Sequence, residues 1–267
     1  MLDAEIFAKI CGAGRIWTVG SIHGESNRLQ ALHASLIPRL ESGDRLVYLG
    51  NYLGHGAKIP ETIRELLRFR RVFLARPIFT GVNDFVLLRG CQEEMWQRVL
   101  QLQFAINPAE VLEWMVERGL EATLKAYSGA AEEGFESARE GPLALTQWTT
   151  RLRDTMREAP GHMSLMSALK RAAFTEDETL LFVNTGVDVS VSLAEQNDSF
   201  WWAGHSFKNI DRPFAGYRRL IRGYDPDHGG FTERPLTLTV DGGCGFGGPL
   251  VAACLAPDGS VVDRIEA

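Results

Sequence analysis

Short apolar runs alternate with amphipathic segments over the first third of the chain. The apolar runs have the length of buried strands, and the amphipathic segments repeat apolar residues every three or four positions, as helices do. Strands are predicted at residues 16–19, 45–49, 72–74 and 78–80, and helices at residues 26–40 and 60–70. This β-α-β-α-β order predicts an α/β sheet, in which functional sites form in the loops after the carboxyl ends of the strands.

The middle of the chain has a helical pattern, and strand-like runs return afterwards. Asn107 is placed to cap a helix, Pro108 suits its first turn and Gly119 suits its end. We therefore interpret residues 91–175 as a helical insertion within a single domain spanning residues 1–267. Later strands are predicted at residues 179–183, 217–221, 236–240, 250–255 and 260–265, the last two joined as a hairpin by the turn Pro257-Asp258-Gly259.

Composition narrows the classes of protein to consider. The 267 residues are 45% hydrophobic and 23% charged, which is the balance of a globular protein. The net charge of -6, without a Lys/Arg cluster, argues against nucleic acid or an anionic membrane as a partner. The start lacks a secretory signal pattern, and the four cysteines are far apart in the chain. We predict reduced thiols and a cytoplasmic location.

Three loops rich in glycine and polar residues follow predicted strands. They read Gly20-Ser21-Ile22-His23-Gly24, Gly50-Asn51-Tyr52-Leu53-Gly54-His55-Gly56 and Gly81-Val82-Asn83-Asp84. Their order and spacing resemble the motifs G-D-x-H-G, G-D-x-x-D-R-G and G-N-H-E/D of the calcineurin-like metallophosphoesterases. The resemblance implies a metallophosphatase-like two-sheet β-sandwich, flanked by helices and carrying the helical insertion.

Later segments extend the resemblance to the C-terminus. Leu181-Phe182-Val183-Asn184-Thr185-Gly186-Val187 resembles the family's F-V-H-A-G-V, and Phe200-Trp201-Trp202 resembles the tryptophan segment that follows it. Arg222-Gly223-Tyr224-Asp225-Pro226 takes the place of G-H-T-P. The glycine-rich tail around residues 241–250 is similar to the closing strand region of bacterial members. The chain therefore looks like a serine/threonine phosphatase of the bacterial phosphoprotein phosphatase branch.

Most metal-binding positions of that family hold neutral residues here. Ser21 stands at a metal-binding Asp, and Asn51 stands at the carboxylate that bridges the two metals. Asn184 and Tyr224 stand at the two later His ligands, so His23 is the only retained ligand. An amide oxygen can contact one hard cation but lacks the negative charge that holds two cations together.

The residues that would handle protons and phosphate also differ. Gly54 and His55 stand at the Asp that orients the catalytic His and at the Arg that grips phosphate. In the third motif, Val82 and Asn83 stand at the Asn ligand and the proton-donating His, while Asp84 keeps the terminal acid. Loss of a general acid alone slows a reaction by about 10²- to 10⁴-fold.

These replacements lead to the expectation of a pseudophosphatase that is not an enzyme. It would use no cofactor, although the family uses two divalent metals such as manganese or iron, and it would bind another protein as a regulatory module. Two alternatives stay open. One is a residual metal-dependent phosphoesterase supported by His23, Asn51, Asp84 and Asp225 or His228, and the other is a small-molecule sensor with an amide-lined pocket.

Overall fold

Two β-sheets form the centre of the protein in the computed structural model, which describes residues 3–76 and 81–267. The first sheet has the order β1-β5-β6-β7-β9-β8, and the second has the order β11-β10-β2-β3-β4. The strands are β1 (Phe7–Ile10), β2 (Ile16–Val19), β3 (Arg45–Tyr48), β4 (Phe85–Leu87), β5 (Ala172–Thr175), β6 (Leu180–Val183), β7 (Arg219–Arg222), β8 (Thr232–Glu233), β9 (Thr237–Thr239), β10 (Val251–Leu255) and β11 (Val261–Glu266). Strands β2, β3 and β4 are parallel, as are β6, β7 and β9.

Helices cover the outer faces of the sheets. They are α1 (Ser26–Leu36), α2 (Ile59–Leu74), α3 (Cys91–Val99), α4 (Pro108–Val116), α5 (Leu120–Ala126), α6 (Ala131–Glu140), α7 (Pro142–Glu158), α8 (His162–Ala168) and α9 (Ser199–Trp202). Short 3-10 turns lie at Ile37–Arg39, Val82–Asp84, Leu102–Phe104, Leu193–Glu195 and His205–Asn209. Within residues 3–76 and 81–267, no helix is both long enough and apolar enough to cross a membrane.

The core lies in three layers that follow from the strand sequences. Between the sheets, Val47, Phe182, Leu238 and Ala253 belong to one buried apolar cluster. A larger cluster joins the outer face of the β2–β3–β4 sheet to α1, α2 and the helices from α3 to α8, and a third covers the other sheet. Strands buried on both faces read as continuous apolar runs, as β6 does. The predicted α/β sandwich of two sheets flanked by helices is confirmed.

Some predicted elements differ from the structure. Residues 72–74 are the last turn of α2 and not a strand, because the apolar stripe continues at helical spacing: Phe69 and Phe73 are buried while Val72 is exposed. The predicted strand at residues 78–80 lies outside the described residues. The helix predicted to reach residue 40 ends at Leu36, where Pro38 favours a 3-10 turn. The helical pattern ends at Ala168, and β5 then pairs with β1 and β6.

A close backbone contact joins the loops that follow β3 and β4. Gly50 has a φ of +94°, and a Cβ added to it would lie 2.6 Å from the backbone nitrogen of Gly90. A Cβ on Gly90 would lie 2.3 Å from the backbone nitrogen of Asn51. Both positions therefore require glycine, which brings the two loops into direct contact.

The buried carboxylate of Glu93 holds the same two loops together. It accepts backbone N–H groups from Gly90 at 2.8 Å, Asn51 at 2.9 Å, Tyr52 at 2.8 Å and Leu53 at 3.0 Å. Burial raises the pKa of Glu93, and the four N–H donors act in the opposite direction. The first turn of α3 is thereby tied to the whole loop after β3.

We expect Gly50→Ala to destabilise the protein by about 2 kcal/mol more than Gly43→Ala. Gly43 has a φ of +87°, and a Cβ added to it would meet no atom within 4 Å, so alanine there adds only left-handed strain of about 1–2 kcal/mol. Alanine at residue 50 adds a steric overlap with the loop after β4. Urea unfolding of both variants measures the difference, and equal losses would show that the close contact is not needed.

We expect Glu93→Gln to lower the free energy of unfolding by about 2–4 kcal/mol, because an amide cannot accept four N–H groups with both of its terminal atoms. Glu121→Gln is the matched control. The Glu121 side chain is 51% exposed and pairs with Lys125 at 2.6 Å on the surface of α5, so its loss costs under about 1 kcal/mol. Similar losses in urea unfolding for both variants would contradict the role given to Glu93.

Candidate functional site

The loops after the parallel strands of both sheets meet at one edge of the sandwich. The Ser21 backbone N–H, after β2, donates to the carbonyl of Gly223, after β7, at 3.0 Å. The Asn184 side chain, after β6, donates to the carbonyl of Leu49, after β3, at 2.7 Å. A site is expected where carboxyl ends of parallel strands converge, and this is where the first two glycine-rich loops lie.

Neutral side chains satisfy one another at the centre of this edge. The Asn51 amide donates to the Ser21 hydroxyl at 3.1 Å, and that hydroxyl donates to the Gly223 carbonyl at 2.9 Å. The Asn51 side-chain oxygen accepts from the backbone N–H of Gln92 at 3.1 Å and the thiol of Cys91 at 3.3 Å. Its oxygen is therefore committed to protein donors.

Asn184 is engaged in the same way. It is fully buried, and its oxygen accepts from the backbone N–H of Cys91 at 3.1 Å and the hydroxyl of Thr185 at 2.8 Å. Together with Asn51 it occupies the first N–H groups of α3, which otherwise point to the site edge. Both amides thus fill space and hydrogen-bond their neighbours without adding charge.

The structure places the third predicted loop away from this site. Val82, Asn83 and Asp84 precede β4, and the register pairs Leu46 with Phe85, so they lie at the amino ends of β3 and β4. The Asn83 amide donates to the Lys9 carbonyl at 2.9 Å, and Asp84 pairs with Arg45 at 3.0 Å. The placement of these three residues at the site was wrong, because the loop comes before the strand and not after it.

The loop that does follow β4 is Gly90-Cys91-Gln92-Glu93. It has the glycine and the terminal acid of G-N-H-E, with Cys91 and Gln92 at the two central positions. The sequence signal was available, since the apolar run at residues 85–88 leads directly into it. Assigning the motif to residues 81–84 rested on strand material at residues 78–80. The chain therefore brings a thiol and an amide to the site where Val82 and Asn83 were expected.

Gly54 and His55 pack against the helices beyond α2. The Gly54 N–H donates to the Thr123 hydroxyl at 3.1 Å, and a Cβ on Gly54 would lie 2.4 Å from Gln92. A Cβ on Gly119 would come within 2.6 Å of Nε2 of His55. The His55 ring therefore lies directly against the backbone at the turn between α4 and α5.

Five rings form a cluster above the amide network. His23 lies 5.0 Å from His55 and 5.6 Å from Tyr224, measured between ring centroids. Phe246 contacts all three imidazoles of the cluster, with centroids 5.3 Å from His23, 4.2 Å from His55 and 3.9 Å from His228. We call these five residues the ring cluster. Sequence reasoning identified the histidines but not Phe246, which comes from the glycine-rich tail.

Two imidazoles of the ring cluster, His23 and His55, favour their neutral form. Burial lowers the pKa of His23 well below its ordinary value, and the charges of His55 and His228 lower it further. Burial followed by the charge of His228 lowers the pKa of His55. Neither ring nitrogen of His23 has a hydrogen-bond partner among the described residues, and the nearby Leu53 backbone, which raises this pKa slightly, falls outside hydrogen-bond geometry. Two imidazoles that are neutral at neutral pH therefore lie at this edge.

The donor set at this edge does not fit two divalent metals. In residues 3–76 and 81–267, no three His, Cys, Asp or Glu side chains are arranged to hold a metal ion. Ser21, Asn51 and Asn184 are neutral, and the oxygens of the two amides already accept protein donors. Two close cations need converging carboxylates and imidazoles. That the chain works without a cofactor stays a prediction.

A cavity of about 340 Å³ opens beside the ring cluster. Its lining combines aromatic rings with one guanidinium, one carboxylate, and sulfur and amide groups. The lining residues are His55, Cys91, Gln92, Met95, Glu117, Arg118, Trp201, Trp202, His205, Tyr224, Pro226 and Phe246. A larger cavity of about 670 Å³ lies between residues 189–192 and 206–215, but the loops of both sheets do not converge on it. We assign the candidate site to the smaller cavity.

Arg118 supplies positive charge to this cavity. Its guanidinium lies 4.4 Å above the Trp114 ring, and one of its nitrogens donates to the Trp114 carbonyl at 3.1 Å. The side chain is 46% exposed, so its other N–H groups can reach a ligand. Arg118 comes from the turn after α4, whereas sequence reasoning looked for a phosphate-binding Arg at His55. Sequence reasoning missed Arg118 because it is distant along the chain from the glycine-rich motifs.

Several solved structures are similar to this chain over nearly its whole length. One is assigned provisionally as a diadenosine tetraphosphatase, with a TM-score of 0.59, 16% identity, and coverage of 98% of both chains. A serine/threonine phosphatase from Saccharomyces cerevisiae with similarity to human phosphatase PP5 has a TM-score of 0.55 and 12% identity, covering 98% of this chain and 82% of that one. A cold-active protein tyrosine phosphatase has a TM-score of 0.52 and 10% identity, covering 99% and 83%.

The similarity to known proteins is found by comparing structures. No protein-family model matches the chain, and no curated protein matches it. At 10–16% identity, the similar structures establish the arrangement of the backbone.

The expectation that this chain is not an enzyme is contradicted by these similarities, because the proteins that share its fold are described as phosphatases or as a tetraphosphatase. Replacement of metal ligands at Ser21, Asn51 and Asn184 is not a sufficient ground for assigning loss of catalysis. Other ionisable groups, His55 and Arg118, lie at the same edge. The chain has the fold of the calcineurin-like metallophosphatases.

Proposed function

We propose that this protein is a phosphoesterase that hydrolyses phosphate esters in the cavity between His55 and Arg118. One observation carries the proposal: a guanidinium and a neutral imidazole line the same cavity at the carboxyl edge of a phosphatase-like sandwich. A phosphate ester needs a positive group for its oxygens and a proton carrier for water or the leaving oxygen. Both are present there. The phosphatases of the same fold support a phosphate ester as the substrate class.

Arg118 has the role of binding the phosphate. Its stacking on Trp114 and its bond to the Trp114 carbonyl orient the guanidinium fork. A planar fork that is always charged can donate two parallel hydrogen bonds to phosphate oxygens. Glu117 also lines the cavity, 3.5 Å from the guanidinium, and balances its charge when no ligand is bound.

His55 has the role of the proton carrier. It is held against Gly119 and the Phe246 ring, and a neutral imidazole at neutral pH can take a proton from attacking water. Gln92 approaches Nε2 of His55 at 3.5 Å and faces the same cavity. Once His55 has taken the proton from water, it can return that proton to the leaving oxygen. His205 is exposed and also lines the cavity.

These roles use only side chains that line the cavity. The amides of Asn51 and Asn184 keep the loops in place, and their oxygens are already bonded. The positive charge that binds the phosphate is therefore assigned to Arg118 and not to metal ions. We expect hydrolysis to persist when a chelator is added. We also expect elemental analysis to find no stoichiometric metal in the protein.

We expect Arg118→Ala to lower kcat/KM for p-nitrophenyl phosphate by about 10- to 100-fold, because charge-assisted hydrogen bonds contribute about 1.5–3 kcal/mol. Arg151→Ala is the matched control, since Arg151 lies on α7 with a side chain that is 64% exposed and pairs weakly with Glu133 at 4.0 Å. Steady-state kinetics with and without added manganese measure both variants. No hydrolysis of any phosphate ester by the unmodified protein would contradict the proposal.

We expect kcat/KM to be full at neutral pH and to fall as the pH drops through the pKa of His55, which lies below its ordinary value of about 6.5. The sign follows from the role, because protonated imidazole cannot accept a proton. His55→Gln should lower the rate by about 10²- to 10⁴-fold and remove the acid limb of the profile. An unchanged acid limb in His55→Gln would assign the base to another residue.

A further inference from the structure

Aromatic side chains make up much of the wall of the candidate cavity. Trp201, Trp202, Tyr224 and Phe246 line it together with the rings of His55 and His205. Aromatic groups are common in ligand pockets, where they provide flat apolar area beside a few placed polar groups. The exposed fraction of each ring distinguishes the rings that can contact a ligand from those that belong to the core.

Trp201 belongs to the core. It is only 2% exposed, and its indole N–H donates to the Arg89 carbonyl at 2.9 Å. Trp202 differs, because it is only partly buried and packs edge-on against Trp114, with ring centroids 5.1 Å apart. Trp202 therefore presents part of its ring to the cavity.

The position of Trp202 relates it to the proposed phosphate-binding group. Trp114 lies between them, since it contacts Trp202 on one side and carries the Arg118 guanidinium 4.4 Å above its ring. Trp114 thus links the guanidinium of Arg118 to the indole of Trp202. A ligand with a phosphate at Arg118 can extend its remaining part over Trp202.

Phe246 provides a second accessible ring. It is 43% exposed and lies on a loop with left-handed glycines at residues 243, 245 and 247. The Phe246 N–H donates to the Gly243 carbonyl at 2.9 Å, which shapes the loop as a tight turn. A phenyl ring left this exposed at the mouth of a cavity provides apolar surface for a ligand.

We propose that the substrates are aryl phosphates, in which the phosphate is attached to a planar aromatic ring, and that Trp202 and Phe246 contact that ring. This inference rests on the proposed function, because it names the substrate class of the same cavity. Aromatic pairs prefer offset or edge-to-face contacts and bind more tightly than the buried area alone accounts for. Trp202 and Phe246 are then specificity residues, while Arg118 binds the phosphate.

The test measures binding of three phosphonates that are not hydrolysed, by calorimetry on the full chain. Benzylphosphonate carries a flat ring, cyclohexylmethylphosphonate carries an apolar ring that is not flat, and ethylphosphonate carries neither. We expect benzylphosphonate to bind about 3- to 10-fold more tightly than cyclohexylmethylphosphonate, and ethylphosphonate to bind most weakly. Equal affinity for the two ring compounds would overturn the inference.

Variants assign the effect to the two rings. Trp202→Leu and Phe246→Leu keep apolar volume but remove the aromatic ring. Each should weaken the binding of benzylphosphonate about 3- to 10-fold and change the affinity for ethylphosphonate less than about 2-fold. Phe104→Leu is the matched control, because Phe104 is 80% exposed and does not line the cavity. If Trp202→Leu does not fold, Phe246→Leu alone decides. Equal weakening of all three phosphonates would overturn the assignment.

The two proposals fail in different ways. Hydrolysis of p-nitrophenyl phosphate without a preference for benzylphosphonate overturns the aryl specificity and leaves the phosphoesterase function standing. Preferential binding of benzylphosphonate without hydrolysis of any phosphate ester overturns the function, and the cavity then recognises aryl phosphates only as ligands.

Discussion

The structure of the site depends on one buried carboxylate. Glu93 accepts four backbone N–H groups, one from Gly90 and three from the loop after β3. A buried charge is tolerated only when it is well hydrogen-bonded, and here the donors come from two different loops. Because β3 and β4 are parallel neighbours, this bond set fixes both loops at the same edge. The positions of Asn51, His55 and Gln92 follow from it.

Neutral side chains fill the centre of the site and hold its loops together. Asn51 and Asn184 both accept backbone N–H groups from the start of α3, and Asn184 also donates to the Leu49 carbonyl after β3. An amide both donates and accepts, so a buried cluster of amides satisfies itself without an ion. The ionisable groups lie further out, around the cavity, where Arg118 comes from the turn after α4. The centre of this edge is thus neutral, and the charge beside it is contributed by a different part of the chain.

The ring cluster links the buried part of the site to the cavity. Phe246 contacts His23, His55 and His228, and its ring helps to bury His23 and His55, whose neutral forms burial favours. The same ring is partly exposed at the cavity mouth. A single side chain from the tail therefore contributes both to the burial of two imidazoles and to the surface offered to a ligand.

The apolar pattern by itself predicted an α/β sheet with a site in the strand-end loops, and the resemblance of the glycine-rich loops to known motifs implied the two-sheet sandwich. Apolar periodicity and glycine spacing are local properties of a sequence, and they persist at 10–16% identity to similar structures. Sequence reasoning misplaced the third motif, since residues 81–84 and 90–93 both combine glycine with an acid, and the apolar run that forms β4 was not predicted as a strand. It also could not show Arg118 or Phe246 at the site. Tertiary structure alone decided these contacts, because they join residues that are distant in the chain and depend on how helices and loops pack.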